Sequence, residues 1–440
     1  MLSEFEKIQD ESMKELDTFF EDENSSQNTN TKTKHASSAL INHIDEDENI
    51  LIDTIIQGKN SYFSFADLKN ITEKRESVNI DGTIYTPLKY DSEYIKSGML
   101  SFPTTLEYES EEKLLEEIQD FIHTYVDIPE EFEIISSYYI LMTYFFSQFT
   151  EVPYLRVIGD YGSGKSRFLK AVGILCYQPI MVNGGISLSA LFRVINTMQG
   201  TLVFDEADIK ASDTTNEMVK VLNNGFQKNL PIVRADGEKF EPKTYAVFGP
   251  KIIGSREAFS DMALESRCIS FTMRRTERNN IPVNLDKDFE AKALQIQNKL
   301  LRYRYDTWNK IELFTERVEG LESRLNQIIN PLLSLCNDED NRAVIILNSF
   351  NFQEELLKDR FLSLQGRIFK AIKSLSERNE EIEYKMILNF IQDEFKISNR
   401  RLAILKAHQI QVRRKNTFIF SIDENKKILE KYYKQYGISS

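Results

Sequence analysis

An α/β fold, with a parallel sheet flanked by helices, is predicted for this 440-residue chain by three observations. Residues 159–166 read Gly-Asp-Tyr-Gly-Ser-Gly-Lys-Ser, the G-x-x-x-x-G-K-[ST] pattern of a P-loop. A strand-like run, Tyr154–Ile158, precedes them, and an apolar-periodic stretch, Arg167–Leu175, follows. Forty residues beyond Lys165, the apolar run Thr201-Leu-Val-Phe ends in Asp205-Glu206. Strand, glycine-rich turn, helix and a second buried strand ending in acid is the order of a P-loop core.

The loop spacing has a physical reason. The tail of a nucleoside triphosphate is a dense cluster of negative oxygens. Backbone N–H groups curl around it only where no Cβ intervenes. Gly159, Asp160, Tyr161, Gly162, Ser163, Gly164, Lys165, Ser166 and Arg167 are therefore the expected cradle. The following helix aims its unsatisfied N–H groups and positive dipole end at the phosphates. Lys165 adds a point charge near the β/γ oxygens, and the Ser166 hydroxyl is expected to ligate Mg²⁺. Asp205, ending a buried strand, would reach the Mg²⁺ shell. Glu206 would polarise the attacking water as general base.

Composition narrows the rest. The length points to two or three units. Apolar residues (41%) and charged residues (28%) are those of a soluble globular protein. The net charge of −13 is uneven: residues 1–60 hold fourteen Asp/Glu against five Lys, which leaves −4 over the remaining 380. Partners must be read from local charge instead. Cys176, Cys268 and Cys336, like His35, His43, His123 and His408, are too dispersed for a zinc site or a disulfide framework. The acidic start lacks the apolar stretch of a signal peptide. The most apolar run, residues 134–149, carries Ser136, Ser137, Thr143, Ser147 and Gln148. A buried helix is expected there rather than a bilayer span, and the chain is expected to be cytoplasmic, without a membrane partner.

Along the chain, residues 1–50 read as an acidic, largely disordered tail. Within it, Leu2, Phe5, Ile8, Met13, Leu16, Phe19 and Phe20 lie at mostly helical spacing, an amphipathic helix that could dock on this protein or on a partner protein. Residues 24–38 are Ser/Asn/Thr-rich and read as a linker. Residues 51–150 are expected to hold a short helix, a hairpin over Val78–Tyr85 turned on Asp81-Gly82, and two helices over 111–149. The core is placed at 151–280. Its later part holds a hairpin over Pro231–Phe240 with Asp236-Gly237 at the tip, a strand over Tyr245–Ser255, a short helical piece from Asp261, then Ser266-Arg267-Cys268 and a strand. A helical lid is expected over 281–355.

Residues 396–416 contain Lys396, Arg400, Arg401, Lys406, Arg413, Arg414 and Lys415 and no acid. A helix over Phe361–Leu375, a short strand at Glu381–Tyr384, helices over Met386–Phe395 and Asn399–His408, and a hairpin around Arg414-Lys-Asn416 are expected. That order resembles a winged helix-turn-helix domain over 356–440. The resemblance implies DNA contacts by Arg400, Arg401 and Lys406 in a groove and by Arg413, Arg414 and Lys415 on phosphate. A protein-binding winged helix stays open.

The P-loop, Asp205-Glu206, the polar end of the strand at Ser255 and Ser266-Arg267-Cys268 together resemble the AAA+ ATPases. Over residues 150–275 the run is similar to the replication-type members found in phages and plasmids. The resemblance implies ATP and Mg²⁺ as cofactors and assembly into a homo-oligomeric, hexameric ring. It also implies Ser255 as sensor 1 and Arg267 as an arginine finger reaching a neighbour's ATP, with Arg256 competing for the finger or sensor role. Arg324 is the expected lid arginine, sensor 2. The hairpin resembles the pre-sensor 1 hairpin of ring helicases, which makes Lys239 and Lys243 candidate DNA contacts. A DNA-dependent motor, helicase or origin-remodelling factor, is the implied activity. The alternative is a non-translocating ATP switch that controls assembly or recruits protein partners, in a regulatory or antiviral-defence role.

Overall fold

The computed structural model describes residues 35–38, 43–45, 50–67, 72–80, 83–103, 110–205, 213–236, 241–259, 261–285, 287–377, 381–383, 386–387, 413–414 and 418–438. The chain divides into two compact units, residues 1–348 and 349–440.

The first unit is built on five parallel strands: β1 (Tyr154–Ile158), β2 (Pro179–Asn183), β3 (Thr201–Asp205), β4 (Lys251–Ser255) and β5 (Cys268–Thr272). Their order is β5-β1-β4-β3-β2. The parallel α/β P-loop core expected from the sequence is thus the one observed. Tyr154 to Ile158 pair with Lys251 to Ser255 on one side and with Cys268 to Thr272 on the other. All five strands therefore point their C-terminal ends to one edge, where ligand sites of such sheets form. β1 is apolar at Tyr154, Leu155 and Val157, all fully buried, as a strand covered on both faces must be.

Helices cover the sheet. The P-loop helix, Lys165–Leu175, buries Phe168, Leu169, Ala171, Val172 and Leu175. Glu111–Tyr125 is capped by Ser110, whose side chain accepts from the Lys113 N–H, and buries Leu114, Ile118, Phe121 and Ile122 at helical spacing. Glu130–Thr143 is buried at every residue from Phe132 onward, which is the interior helix expected near 134–149. Among the described residues no helix is long and apolar enough to cross a membrane. Lys287–Thr307 and Ser323–Leu333 supply helices after β5, within the span expected for the lid.

The N-terminal region differs from expectation. The expected short helix is Glu93–Lys96, and the hairpin Val78–Ile80 with Thr83–Pro87 has the predicted register, Ile80 opposite Thr83. A four-stranded antiparallel sheet comes in addition. Its long arms, Ile50–Gln57 and Asn60–Asp67, pair from end to end around Gly58 at φ +64°. The β-branched run Ile50-Leu-Ile-Asp-Thr-Ile-Ile favours extended backbone, and its Leu51, Ile52, Ile55 and Ile56 are buried. His35–Ser38, inside the expected linker, pairs in parallel with Ile84–Pro87. The amphipathic helix expected over residues 2–20 lies outside the described residues. A buried polar cluster ties this sheet to the core. Asp53 accepts from the Tyr177 hydroxyl and pairs with Arg304 at 3.5 Å; the Arg304 guanidinium lies 4.7 Å from the Tyr177 ring and 4.3 Å from Trp308. Carboxylate, hydroxyl and two aromatic faces compensate a charge that has left water.

In the second unit, Leu364–Ser376 and Ile422–Gln435 pack on a three-stranded antiparallel sheet, Glu381–Glu383, Phe418–Ser421 and Arg413–Arg414. Phe369, Ile372, Ile382, Ile387 and Leu429 form its core. The first of these helices starts after Ser363, whose hydroxyl accepts from Gly366 N, and not at Phe361. The pairing of Glu381–Glu383 with Phe418–Ser421 and the strand at Arg413–Arg414 agree with the expected short strand and hairpin. Ile422–Gln435, capped by Ser421, is an additional helix. The two helices expected between 386 and 408 lie outside the described residues, apart from the helical turn at 386–387.

Candidate nucleotide site

The loop 159–164 connects the C-terminal end of β1 to the P-loop helix. Gly162 and Gly164 hold φ +75° and +95°, conformations a side chain disfavours. A Cβ on Gly159 would come within 2.7 Å of Ser163 Oγ. The loop closes on itself through Lys165, whose Nζ donates to Gly159 O at 2.5 Å and Asp160 O at 2.8 Å. A cavity of about 320 Å³ opens over it, lined by Tyr161 to Arg167, Asp205 and Gly254 to Arg256. Arg167 borders it while donating to Pro282 O and Val283 O, which fastens the segment after β5 beside the loop.

Because β4 lies between β1 and β3, its last residues stand between the P-loop and Asp205. Gly254 allows this approach: a Cβ there would meet Leu169 Cδ1 at 2.7 Å and Asp205 Oδ1 at 3.3 Å. Lys165, Ser166 and Asp205, far apart in sequence, thus face one cavity. Ser255 lines it too, but its hydroxyl donates to Glu257 O at 2.9 Å and shapes the turn that follows. Arg256 reaches the same cavity, its guanidinium 4.0 Å from the ring of Tyr161. Glu206, next after Asp205, lies outside the described residues. Among the described residues no cluster of three His, Cys, Asp or Glu side chains forms.

Arg267 is elsewhere. Its carbonyl accepts from Tyr154 N, which fixes it at the start of β1 and β5. The P-loop is at the other end, five residues away, roughly 15 Å along a strand. A buried pair holds Arg267 there: Arg156 of β1 donates to both carboxylate oxygens of Glu265, one at 2.7 Å, on the short helix Met262–Glu265. Arg267 donates to Ala263 O, and its guanidinium lies 5.3 Å from the Phe226 ring. Arg324 corrects the sequence expectation. Its guanidinium also lies 5.3 Å from Phe226, beside Arg267 and not at its own chain's P-loop. Arg324, at the start of the helix Ser323–Leu333, lies with Arg267, and spacing along a helix does not say which part of a distant sheet its side chains will meet. Burial first, and the Arg324 charge second, push Arg267 below the usual guanidinium value. Two like charges held together suit an anion brought from outside.

The hairpin arms are Ile232–Asp236 and Glu241–Tyr245, paired from Ile232–Tyr245 to Asp236–Glu241. Four residues, 237–240, therefore separate them, in place of the expected two-residue turn on Asp236-Gly237. Strand β4 correspondingly starts at Lys251 and not at Tyr245. Lys243 faces Arg234 across the ladder, and its Nζ lies 5.7 Å from the Tyr245 ring. Lys239 lies outside the described residues, as do Arg400, Arg401, Lys406 and Lys415. Arg413 and Arg414 form a strand of the second unit.

Lys251 carries no sequence motif and was not an expected functional residue. Buried at the start of β4, its Nζ donates to Gly225 O (3.3 Å), Val247 O (3.0 Å) and Gly249 O (2.9 Å), with the Tyr154 ring at 4.7 Å. These carbonyls flank the segment that carries the hairpin, so one side chain fastens both its ends. Burial pushes the ammonium down to about 7. Below that pH the lysine is charged in both the folded and the unfolded chain. Above it, up to the unfolded value near 10.4, only the unfolded chain holds the proton, so this group makes stability rise with pH. Wild type is expected to gain on Lys251→Met by up to about 1.4 kcal/mol per pH unit between pH 7 and 9. Urea unfolding of both proteins at three pH values checks this; a constant difference would refute it.

No family model and no curated protein matches the sequence. Among solved structures, the chain is similar to SCCmec type IV Cch, an active helicase, at 11% identity and a TM-score of 0.42, covering 87% of this chain and 94% of that one. It is similar to the C-terminal region of NrS-1 at 13% identity and a TM-score of 0.37, covering 84% and 96%. The full-length MCM homolog from Methanopyrus kandleri shares 11% identity at a TM-score of 0.32, covering 70% and 78%.

Proposed function

We propose that this chain is an ATP-dependent, DNA-handling motor of the AAA+ kind, a ring-forming helicase or origin-remodelling ATPase. One observation carries the reading: Lys165, Ser166 and Asp205 line a cavity at one edge of the sheet, while Arg267 is fixed at the opposite edge. A site completed by an arginine then needs a second copy, and head-to-tail contacts of that type close into rings. A hexamer is the expected ring.

The cavity fits a triphosphate with Mg²⁺. The Ser163 hydroxyl is buried there with no protein partner, and the tight loop leaves no room for a Cβ at Gly159. Loop N–H groups and Lys165 would hold the β/γ phosphates; Ser166 directly, and Asp205 through water, would hold Mg²⁺. When bound, Mg²⁺ offsets charge on the phosphate oxygens. Glu206 takes a proton from the attacking water, and Arg267 forks onto the neighbour's terminal phosphate. The hairpin would move along DNA, and the basic second unit, read as a winged helix, would anchor it.

The Lys239→Ala, Lys243→Ala double variant is expected to keep basal ATPase and to lose its stimulation by DNA, measured as phosphate release with and without single-stranded DNA. Unchanged stimulation would remove the hairpin from the motor. A wild-type ATPase that no DNA stimulates, with no strand displacement, would favour the non-translocating switch, with the N-terminal segment as its protein-recruiting arm.

A further inference from the structure

The nucleotide cavity holds an arginine whose place the P-loop and its following motifs leave undecided. Arg256 follows the last residue of β4 and lines the same cavity as Lys165, Ser166 and Asp205. Its guanidinium rests 4.0 Å from the ring centroid of Tyr161, a residue of the P-loop itself. Tyr161 is 67% exposed, so the core does not need that ring for packing. The Ser255 hydroxyl, donating to Glu257 O, spends its proton on the turn that carries Arg256.

We propose that Arg256 is a phosphate-contacting arginine of its own subunit's site, and that Tyr161 is its dock. A guanidinium stacked on an aromatic face keeps a fixed plane while its edge forks onto phosphate oxygens. Lys165 sits at the base of the loop, bonded to Gly159 O and Asp160 O, and Asp205 across β4. Arg256, on the turn between them, is the group placed to sense the terminal phosphate, and Ser255 positions that turn. The division of labour follows from the sheet: Arg256 serves in cis at one edge, and Arg267 in trans from the other. This rests on the ATPase reading above and adds to it the terminal-phosphate contact within one chain.

Three measurements test it. Arg256→Ala is expected to weaken binding of the slowly hydrolysed analogue ATPγS by about ten- to hundredfold, the worth of one charged hydrogen-bonding group, and to leave ADP affinity unchanged. Equal loss of both would mean a merely structural arginine and overturn the proposal. Tyr161→Ala should weaken ATPγS binding in the same direction as Arg256→Ala with ADP affinity unchanged, and Tyr161→Phe, which keeps the ring face, should bind ATPγS more tightly than Tyr161→Ala; equal affinity of the two would remove the dock. Last, Arg256→Ala is mixed with Lys165→Ala. Action in cis predicts no regained turnover at any ratio, since no site in a mixed ring has both residues. Regained turnover would move Arg256 to the neighbour's site and overturn the proposal. The mixture of Arg267→Ala with Lys165→Ala, run beside it, reports on the shared-site reading separately, and a wild type without any turnover would sink the ATPase reading itself.

Discussion

Glu206→Gln is expected to bind ATP as wild type does and to lose about 10²–10⁴ of its turnover, the usual worth of a general base. The strand before it supports the assignment. β3 runs to Asp205, in register with Asn183 of β2, and Asp205 faces the cavity over the P-loop. Glu206 is the next residue along the chain. Glutamine keeps the length and polarity of the side chain but cannot take up the proton that water must lose. The N–H cradle, Lys165 and Ser166 are untouched, so affinity has no reason to fall. Fluorescent-nucleotide binding and phosphate release on the same preparation separate the two quantities. Normal kcat in this variant would hand the role of base to another group. Lost affinity together with lost kcat would instead point to a disturbed loop.

The parts of the site legible in the sequence are those whose spacing is set by one continuous piece of chain. The P-loop is a strand, a turn and a helix start, and its glycines answer to local backbone geometry. Asp205 marks itself by ending an apolar run. Arg267 is announced by its neighbours in sequence, although its distance from its own P-loop emerges only from the pairing of β1 with β5. Arg324 shows the limit. Its helix was expected to bring it to the nucleotide, yet packing sets it beside Phe226 and Arg267, and nothing along the helix encodes which edge of a distant sheet it will meet. Lys251 fails for a related reason. A lysine inside Gly-Pro-Lys-Ile-Ile reads as an edge charge, and its three carbonyl partners come from residues brought together by the hairpin's return. The Ile50–Gln57 strand was readable from its β-branched run. Its partner across Gly58 was the clue that composition alone did not supply.

Arg267→Ala is expected to lower turnover by about 10³ or more, in the range found for arginine fingers, while leaving nucleotide affinity close to wild type. The residue is bound to the start of β1 through its carbonyl, and the helix before it is clamped to the sheet by the buried Arg156–Glu265 pair. The side chain cannot cross to the C-terminal edge of the same sheet, so a nucleotide phosphate that it meets would belong to another copy. Lysine should not rescue it: a point charge lacks the planar fork that grips two phosphate oxygens. The decisive measurement mixes Arg267→Ala with Lys165→Ala. Each alone is inactive, one for want of a finger, the other for want of a phosphate clamp. In a mixed ring, the intact P-loop of the first kind meets the intact Arg267 of the second, and turnover returns over intermediate ratios. If the two co-assemble, as judged by mass, and no ratio restores activity, Arg267 does not act between subunits. The pair of like charges at Phe226 would then be a structural feature of one chain, and the need for a second copy at the nucleotide site would fall with it.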